Sequence, residues 1–175
     1  MKPKITPRDH EIKLTEEDVI ISKTDTRGVI TYANRTFMRI AGYSERQLLE
    51  VQHNIIRHPD MPRGAFQLLW DTIKSGREFF GFVKNMTADG SYYWVFANVT
   101  PDLDAQGRVT GYFSVRRRPS PEAVNTVTGI YREMLEAERR TSAAQACQAS
   151  IALLRAKLAA AGSDYERFVL GLYHG

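Results

Sequence analysis

The sequence contains a single cysteine, Cys147, among 175 residues. An intramolecular disulfide and a metal site built from several cysteines are therefore excluded, and a lone thiol is typical of a reducing compartment. No apolar run approaches the roughly 20 residues that a membrane-spanning helix needs, and the N-terminus lacks the basic and apolar regions of a signal peptide. We expect a cytoplasmic protein without a membrane span.

A strong charge of one sign is also missing. The chain has 24 basic and 20 acidic residues, for a net charge of +4. This excess is too small and too scattered to indicate a nucleic-acid partner. The densest basic run, residues 116–118, is interpreted as the solvated end of a strand.

The motifs of several large enzyme classes are absent: a Gly-rich phosphate loop, a Gly-x-Ser-x-Gly elbow and a His-Glu-x-x-His pair. His58 and Asp60 could form a base with its orienting carboxylate, but no nearby Ser or Cys offers a nucleophile. His53 could join them as a third metal ligand, but Arg57 would then place a cation beside the ion. We predict neither an enzyme nor a metal site.

Five β-prone runs occupy residues 19–21, 29–32, 79–86, 92–100 and 109–115. Glycine-containing turns join the first run to the second, and the last three runs to one another. Between the second and third runs, apolar residues recur at helical spacing. The pattern predicts an α+β fold, in which a helical block is inserted between strands 2 and 3 of a five-stranded antiparallel sheet.

The chain divides into three predicted parts. Residues 1–13 lack periodicity and are interpreted as a mobile N-terminal arm. Residues 14–119 form the globular domain, which ends where two prolines follow the last strand. Residues 120–175 form a C-terminal helical segment.

The C-terminal segment begins with a stretch in which apolar residues recur every three or four positions, from Glu122 to Ala161. This pattern predicts one long amphipathic helix. Because so long a helix is rarely stable without a partner, we predict a homodimer through this helix, or docking on another protein. The alternatives are that the helix folds back onto its own domain, or breaks into a helical hairpin around residues 141–148.

The stretch His53–Pro62 reads His-Asn-Ile-Ile-Arg-His-Pro-Asp-Met-Pro. It concentrates two histidines, an arginine and an aspartate where two prolines prevent a regular helix. Arg57 offers a planar fork of donors suited to a phosphate or a ring carbonyl, and the imidazoles can donate or stack. The stretch therefore indicates a loop that binds an anionic or polarised cofactor.

Aromatic and amide side chains on the following elements are expected to face the same cavity. Asn85 and Asn98 lie inside predicted strands, where a buried amide is costly without a hydrogen-bond partner. The alternatives are that the aromatic rings are ordinary core and that the amides make cross-strand bonds. The candidates on these elements are Phe66, Trp70, Phe79, Asn85, Trp94 and Asn98.

Several motifs together carry a resemblance to a known family. They are Ile-Thr-Tyr-Ala-Asn-Arg-Thr-Phe from Ile30, Ala-Gly-Tyr-Ser from Ala41, the His53–Pro62 stretch, Gly-Phe-Val-Lys-Asn from Gly81 and Gly-Ser-Tyr-Tyr-Trp-Val from Gly90. Over about residues 15–120 the chain resembles the PAS domain of the aerotaxis receptor family. The resemblance implies a PAS fold, non-covalent FAD and sensing of oxygen or cellular redox state.

When the family motifs are matched to this sequence position by position, the resemblance also implies which residues surround the cofactor. It places Asn85 at the isoalloxazine edge. This resemblance leads to a hypothesis. Arg57 and a neighbouring imidazole stabilise negative charge on the reduced cofactor, and Asn85 passes the change in redox state to the start of the C-terminal helix. Phe79 stands where the family usually has Trp. Family receptors continue into a transmembrane segment that this sequence lacks, so we expect flavin binding to carry over rather than chemotactic output. The implied residues are Asn34, His53, Arg57, His58, Asp60, Trp70 and Asn85.

Other members of this fold class suggest two alternatives. The domain could be a cofactor-free docking module for a kinase or chemoreceptor, with its cavity filled by side chains. It could also bind haem through His53 or His58. A light-driven flavin adduct needs a cysteine beside the ring, and Cys147 lies far along the C-terminal helix. Light sensing is therefore not expected.

Overall fold

A computed structural model describes residues 4–175. Five strands form one sheet, in the order β2-β1-β5-β4-β3, and every neighbouring pair is antiparallel. The predicted α+β fold with a five-stranded antiparallel sheet is confirmed. The strands are β1 (Ile20–Asp25), β2 (Ile30–Ala33), β3 (Phe79–Met86), β4 (Tyr92–Leu103) and β5 (Val109–Arg117).

The inserted block between β2 and β3 contains α1 (Arg35–Ala41), α2 (Glu45–Leu48), a 3₁₀ helix (His53–Ile56) and α3 (Arg63–Lys74). Local sequence explains these boundaries. Asn34 caps α1 by accepting a hydrogen bond from the Phe37 amide, as asparagine commonly does at this position. Ser44 and Gln47, whose spacing in the sequence is typical of a capping box, form one at the start of α2. The block covers the inner face of the sheet.

The sheet has apolar side chains buried on both faces. On β4, Tyr93 and Val95 belong to the core under the helical block. Trp94 and Phe96 alternate with them and pack on the opposite, outer face against the C-terminal helices. Successive residues of a strand point to opposite faces. The parity of a residue, meaning its odd or even position along the strand, therefore decides whether it faces the helical block or the C-terminal helices.

The C-terminal segment forms three helices: α4 (Pro121–Arg139), α5 (Ala146–Ala160) and α6 (Tyr165–His174). The prediction of one long helix is wrong, and the alternative of a helical hairpin is correct. At the break, the Thr141 hydroxyl donates to the Glu138 carbonyl at 3.1 Å, a side-chain bond that competes with helix continuation.

The apolar stripes of the C-terminal helices find their partners within the chain. On α4, Val127, Tyr131 and Met134 are buried against the outer face of the sheet. The Tyr131 hydroxyl donates to the Phe82 carbonyl of β3 at 2.6 Å. Helix α5 packs on both α3 and α4, and α6 packs on β3. The dimer was predicted because a long amphipathic helix needs a partner for its apolar stripe. These stripes are buried within the chain, so that reason no longer applies.

Part of the predicted N-terminal arm lies along the turn between β3 and β4. The Ile12 amide donates to the Tyr92 carbonyl at 2.7 Å, and the Arg8 amide donates to the Gly90 carbonyl at 2.8 Å. These bonds add a short parallel bridge beside β4. Residues 1–3 of the arm lie outside the described part of the chain. The domain boundaries at residues 14 and 120 and the mobility of the arm stay predictions.

Candidate functional site

A cavity of about 240 Å³ lies between the inner face of the sheet and the helical block. Its walls come from β1, β3, β4 and β5 on one side, and from the 3₁₀ helix, Arg57 and α3 on the other. Among the residues predicted from the sequence, five line it: His53, Arg57, Phe66, Trp70 and Asn85. The central loop and the sheet are thus brought together as expected.

Arg57 is held at the cavity by contacts with two elements. Its backbone forms a bridge with Asn85 on β3, and its guanidinium lies over the Phe66 ring, 4.4 Å from the centroid. Burial lowers the pKa of Arg57, and the negative charge of Glu138 on α4 partly opposes this shift. The guanidinium stays charged at neutral pH and can attract an electron-rich ligand.

Trp70 reaches the cavity from α3 because the chain opposite leaves room for its indole. A Cβ atom added at Gly28 would lie 3.1 Å from the Trp70 ring, so glycine permits this close approach. The indole also meets the edge of Tyr112, with ring centroids 5.7 Å apart. Together with Phe66, Leu69 and Ile73 it forms an apolar wall.

His53 lies in the cavity beside three other side chains. One imidazole nitrogen, Nε2, is 3.0 Å from the Ser22 hydroxyl and 3.4 Å from an Arg116 nitrogen. The ring stacks on Phe37, with centroids 5.9 Å apart. Burial, assisted by the charge of Arg116, lowers the pKa of His53 to about 3. The imidazole is therefore neutral at physiological pH.

Arg116 is the main residue of the cavity that sequence reasoning missed. It was interpreted as part of a solvated strand end, but it is 2% exposed and lines the cavity, so that interpretation is wrong. Its Nη2 donates to the Ser22 hydroxyl at 2.5 Å, and its guanidinium lies 4.5 Å from the centre of the Phe37 ring. The alternation Tyr112, Ser114, Arg116 along β5 was the signal that could have placed it inside.

Arg116 is unusual because a buried cation normally has a carboxylate partner. Within residues 4–175, its buried Nε has no hydrogen-bond partner, and no ion pair to a carboxylate is found for it. Burial lowers the pKa of Arg116 to about 10, so it remains cationic at neutral pH. The cavity thus contains a donor and a positive charge that the described protein atoms leave uncompensated.

Three residues predicted on strands do not line the cavity. Trp94 and Asn98 have the parity of the outer face: Trp94 stacks on Tyr131 of α4, with centroids 6.3 Å apart, and Asn98 donates to Glu78 at 2.9 Å. The expectation that they face the cavity is corrected by the register of β4. Phe79, at the start of β3, stacks on Tyr165 of α6 at 5.7 Å.

Three residues that the resemblance places around the cofactor have other partners. Asn34 caps α1 and joins it to β1, since its side chain accepts from the Ile21 amide and donates to the Val19 carbonyl. His58 is buried, and its Nδ1 accepts the Asp60 amide at 3.0 Å. The Asp60 carboxylate pairs with Lys84 of β3 at 2.7 Å. The Asp60–Lys84 pair joins the loop to the sheet, and none of the three residues lines the cavity.

Burial raises the pKa of Asp60, but the hydrogen bond and charge of Lys84 outweigh it, so the pKa lies below its ordinary value. The carboxylate is ionised at neutral pH, and the pair with Lys84 is intact. Within residues 4–175, no group of three or more His, Cys, Asp or Glu side chains could hold a metal ion. Cys147 lies on α5 and does not line the cavity.

The donor set defines the ligand that the cavity fits. Apolar and aromatic walls surround the amide of Asn85 and the guanidinium groups of Arg57 and Arg116. A flat heterocycle with several acceptor atoms and a capacity for negative charge satisfies such a set. A flavin ring has this chemistry, so the residues present fit the group that the resemblance implies.

Comparison with known families agrees with this architecture. A family model described as "PAS fold" matches residues 30–116, which include β2–β4, the helical block and β5 as far as Arg116. Residues 30–116 therefore form a PAS domain. The resemblance to the aerotaxis receptor group that the motifs carry is also confirmed, by the relatives that follow.

The chain is 39% identical over 121 residues to the aerotaxis receptor of Escherichia coli, an alignment that covers 69% of this chain and 24% of the receptor. It is 36% identical over 102 residues to the nitrogen fixation regulatory protein of Klebsiella pneumoniae, covering 58% of this chain and 21% of that protein. The chain thus spans about a quarter or less of these relatives. They are sensory and regulatory proteins.

Solved structures share the fold at lower identity. The dark structure of the blue-light photoreceptor Aureochrome1 LOV superposes with a TM-score of 0.58 at 23% identity, over 63% of this chain and 82% of that one. The PAS domain of the fruit-fly ELK potassium channel has a TM-score of 0.53 at 15% identity, over 58% and 86%. A photoreceptor and an ion-channel domain share this architecture. The likeness therefore shows the fold alone.

Proposed function

We propose that this chain is a redox or oxygen sensor that binds FAD non-covalently in the PAS cavity. The observation that carries the proposal is the cavity itself, in which two guanidinium groups and the Asn85 amide converge on an apolar space. The relationship to aerotaxis receptors supports flavin as the ligand. We propose FAD rather than another flavin as the cofactor.

The chain's own residues determine how the cofactor is held. Trp70 and Phe66 provide apolar contact for a ring, Asn85 offers both a donor and an acceptor, and Arg57 and Arg116 favour negative charge on the ligand. Neutral His53 can accept or donate without adding a second cation beside Arg116. When bound, the flavin supplies reversible electron uptake.

A route from the cavity to the C-terminal helices follows from chain connectivity. Arg116 is near the end of β5, and α4 begins five positions later, after its N-cap Ser120. A change in ligand charge can bias α4 only through contacts that differ between the two states. We propose that Asn85 and Arg116 make those contacts, with the junction 116–122 as the element that responds.

The test is the absorption spectrum of the purified protein, before and after incubation with FAD. A yellow protein with flavin absorption bands supports the proposal. A colourless protein that FAD cannot reconstitute overturns it in favour of a docking module, and a red protein indicates haem. Anaerobic reduction then tests the relay: the environment of α4 should change in wild type and change less in Asn85→Ala. An unchanged α4 in both proteins would contradict it.

Partner and location form the remaining parts of the proposal. The relatives support a signalling partner, and we propose a chemoreceptor or a kinase in that role. A homodimer through the C-terminal helices and a cytoplasmic location stay predictions from the sequence. Among the described helices, none combines the length and the apolar character needed to cross a membrane. Light scattering on the purified chain decides the oligomeric state.

A further inference from the structure

Glu138 lies near the end of α4, outside the part of the chain that matches the PAS model. Its carboxylate oxygen Oε1 accepts two hydrogen bonds from different helices. One comes from the Gly64 amide at the start of α3, at 3.0 Å, and the other from the Ser150 hydroxyl of α5, at 2.7 Å. A single carboxylate thus joins α3, α4 and α5.

The start of α3 needs this carboxylate. The first amides of a helix have no acceptor within the helix, and the N-cap of α3 is Pro62, whose side chain makes no cap hydrogen bond. Glu138 supplies an acceptor to the Gly64 amide from a neighbouring helix, with the negative charge that a helix N-terminus favours. The position of the first turn of α3 therefore depends on α4.

The same turn forms part of the cavity. Phe66 lies two residues after Gly64, lines the cavity and carries the Arg57 guanidinium over its ring at 4.4 Å. The charge of Glu138 also acts directly on Arg57, where it favours the protonated guanidinium. Glu138 therefore influences both the wall of the cavity and one of its two cations.

We propose that Glu138 is a positioning residue of the cofactor site, through which α4 and α5 fix Phe66 and Arg57. The proposal rests on the proposed function and names a route for its regulation. Coupling between two sites is reciprocal, so a ligand that fixes Arg57 and Phe66 also strengthens the attachment of α5. The C-terminal helices are then part of the sensor site.

The first test uses the protein without cofactor. Hydrogen exchange of the Gly64 amide and the NMR signal of the Arg57 side chain are measured in wild type, Glu138→Ala, Glu138→Gln and Glu136→Ala. Glu136 is the matched control, because it is on the same helix and, within residues 4–175, its carboxylate pairs with Arg140 alone, at 3.8 Å. Exchange at Gly64 should be about tenfold faster in Glu138→Ala, the loss expected for one charged hydrogen bond.

Glu138→Gln separates the hydrogen bonds from the charge. Its amide oxygen still accepts from Gly64 and Ser150, so exchange at Gly64 should stay within about threefold of wild type. The Arg57 signal should shift in both Glu138 variants, because the negative charge is lost in each. If Glu138→Ala does not fold, Ser150→Ala replaces it. This variant removes the hydrogen bond from α5 to Glu138 and keeps the bond from Gly64, so amide exchange in α5 should be faster.

The second test adds FAD. Binding should weaken about tenfold in Glu138→Ala and stay unchanged in Glu136→Ala. FAD should also slow exchange at Gly64 and Ser150 in wild type. The inference is overturned if Glu138→Ala matches wild type in Gly64 exchange and in the Arg57 signal, or if Glu136→Ala changes them equally. A wild-type protein that binds no FAD contradicts the proposed function instead, and the cofactor-free measurements still decide the role of Glu138.

Discussion

Gly64 and Ser150 lie so close together that a Cβ atom on Gly64 would overlap the Ser150 hydroxyl. The same atom would be 3.2 Å from the Cys147 carbonyl, which belongs to the backbone of α5. Helices α3 and α5 therefore cross at a point that leaves no space for a side chain. This contact attaches the C-terminal helices to the wall of the cavity.

Gly64→Ala should destabilise the protein, although alanine is the better helix former. At an unpacked helical site, this change stabilises by about 0.8–1 kcal/mol. Gly129 on α4 is such a site, with nothing within 4 Å of its added Cβ. We expect Gly129→Ala to raise the free energy of unfolding, and Gly64→Ala to lower it by about 1–3 kcal/mol, measured by urea denaturation. Equal stabilisation by both would contradict the close crossing.

Arg116→Met should separate cofactor binding from stability. Replacing a buried charge by an apolar side chain of similar size is often neutral or stabilising, so the cofactor-free protein should unfold at the same or a higher temperature. FAD affinity should fall at least about tenfold, because a charged donor to the ligand is lost. Arg117→Met, on the exposed neighbouring residue, should change neither quantity. Full FAD affinity in Arg116→Met would exclude Arg116 from binding.

Arg57→Ala should weaken FAD binding through the loss of one cation and of the support for Phe66. A cation over an aromatic ring contributes about 0.5–2 kcal/mol, and the lost charge adds to this. The expected decrease in affinity is about tenfold or more, measured by fluorescence titration with FAD. Arg57→Lys, which keeps the charge but not the planar fork, should lie between alanine and wild type. Wild-type affinity in the alanine variant would contradict the assignment.

His53 should make the stability of the protein fall with pH already at pH values above those at which carboxylates titrate. Its pKa is about 3 in the folded state and about 6.5 in an unfolded chain, so the unfolded state binds the extra proton as pH falls below 6.5. Stability should decrease from pH 6.5 towards 3, by at most about 1.4 kcal/mol for each pH unit.

His53→Asn removes the titrating group while the neighbours Ser22 and Arg116 remain. The difference in unfolding free energy between wild type and this variant should therefore change between pH 6.5 and 4.5. Urea denaturation at both pH values measures it. A difference that is constant across this range would show that His53 is not held neutral by burial.

Local patterns in the sequence were sufficient for much of the fold. The glycine turns and β-prone runs identified all five strands, and the Ser44 and Gln47 side chains identified the start of α2. The loop at His53–Pro62 was predicted to be a binding element, because its residue types have few structural uses in combination. It places His53 and Arg57 at the cavity, and its binding role stays a prediction.

The errors about which residues face the cavity have physical causes. Alternation identifies the inward face of a strand only when the other face is exposed to water. On β4 the C-terminal helices cover the outer face, so Tyr93 and Trp94 are both buried, and the sequence gives no contrast between them. Arg116 was misjudged for the opposite reason: its charge suggested solvent, while its parity placed it inside.

The C-terminal helices also affect how a partner can reach the sheet. Tyr173 of α6 stacks on Phe96 of β4, with ring centroids 3.9 Å apart, so the outer face is occupied by the chain's own helix. Because α6 belongs to the same chain as the sheet, its effective local concentration at this face is on the order of millimolar. A partner present at micromolar concentration must therefore displace α6 or bind elsewhere, and the strength of α6 docking sets the affinity that a competitor for this face requires.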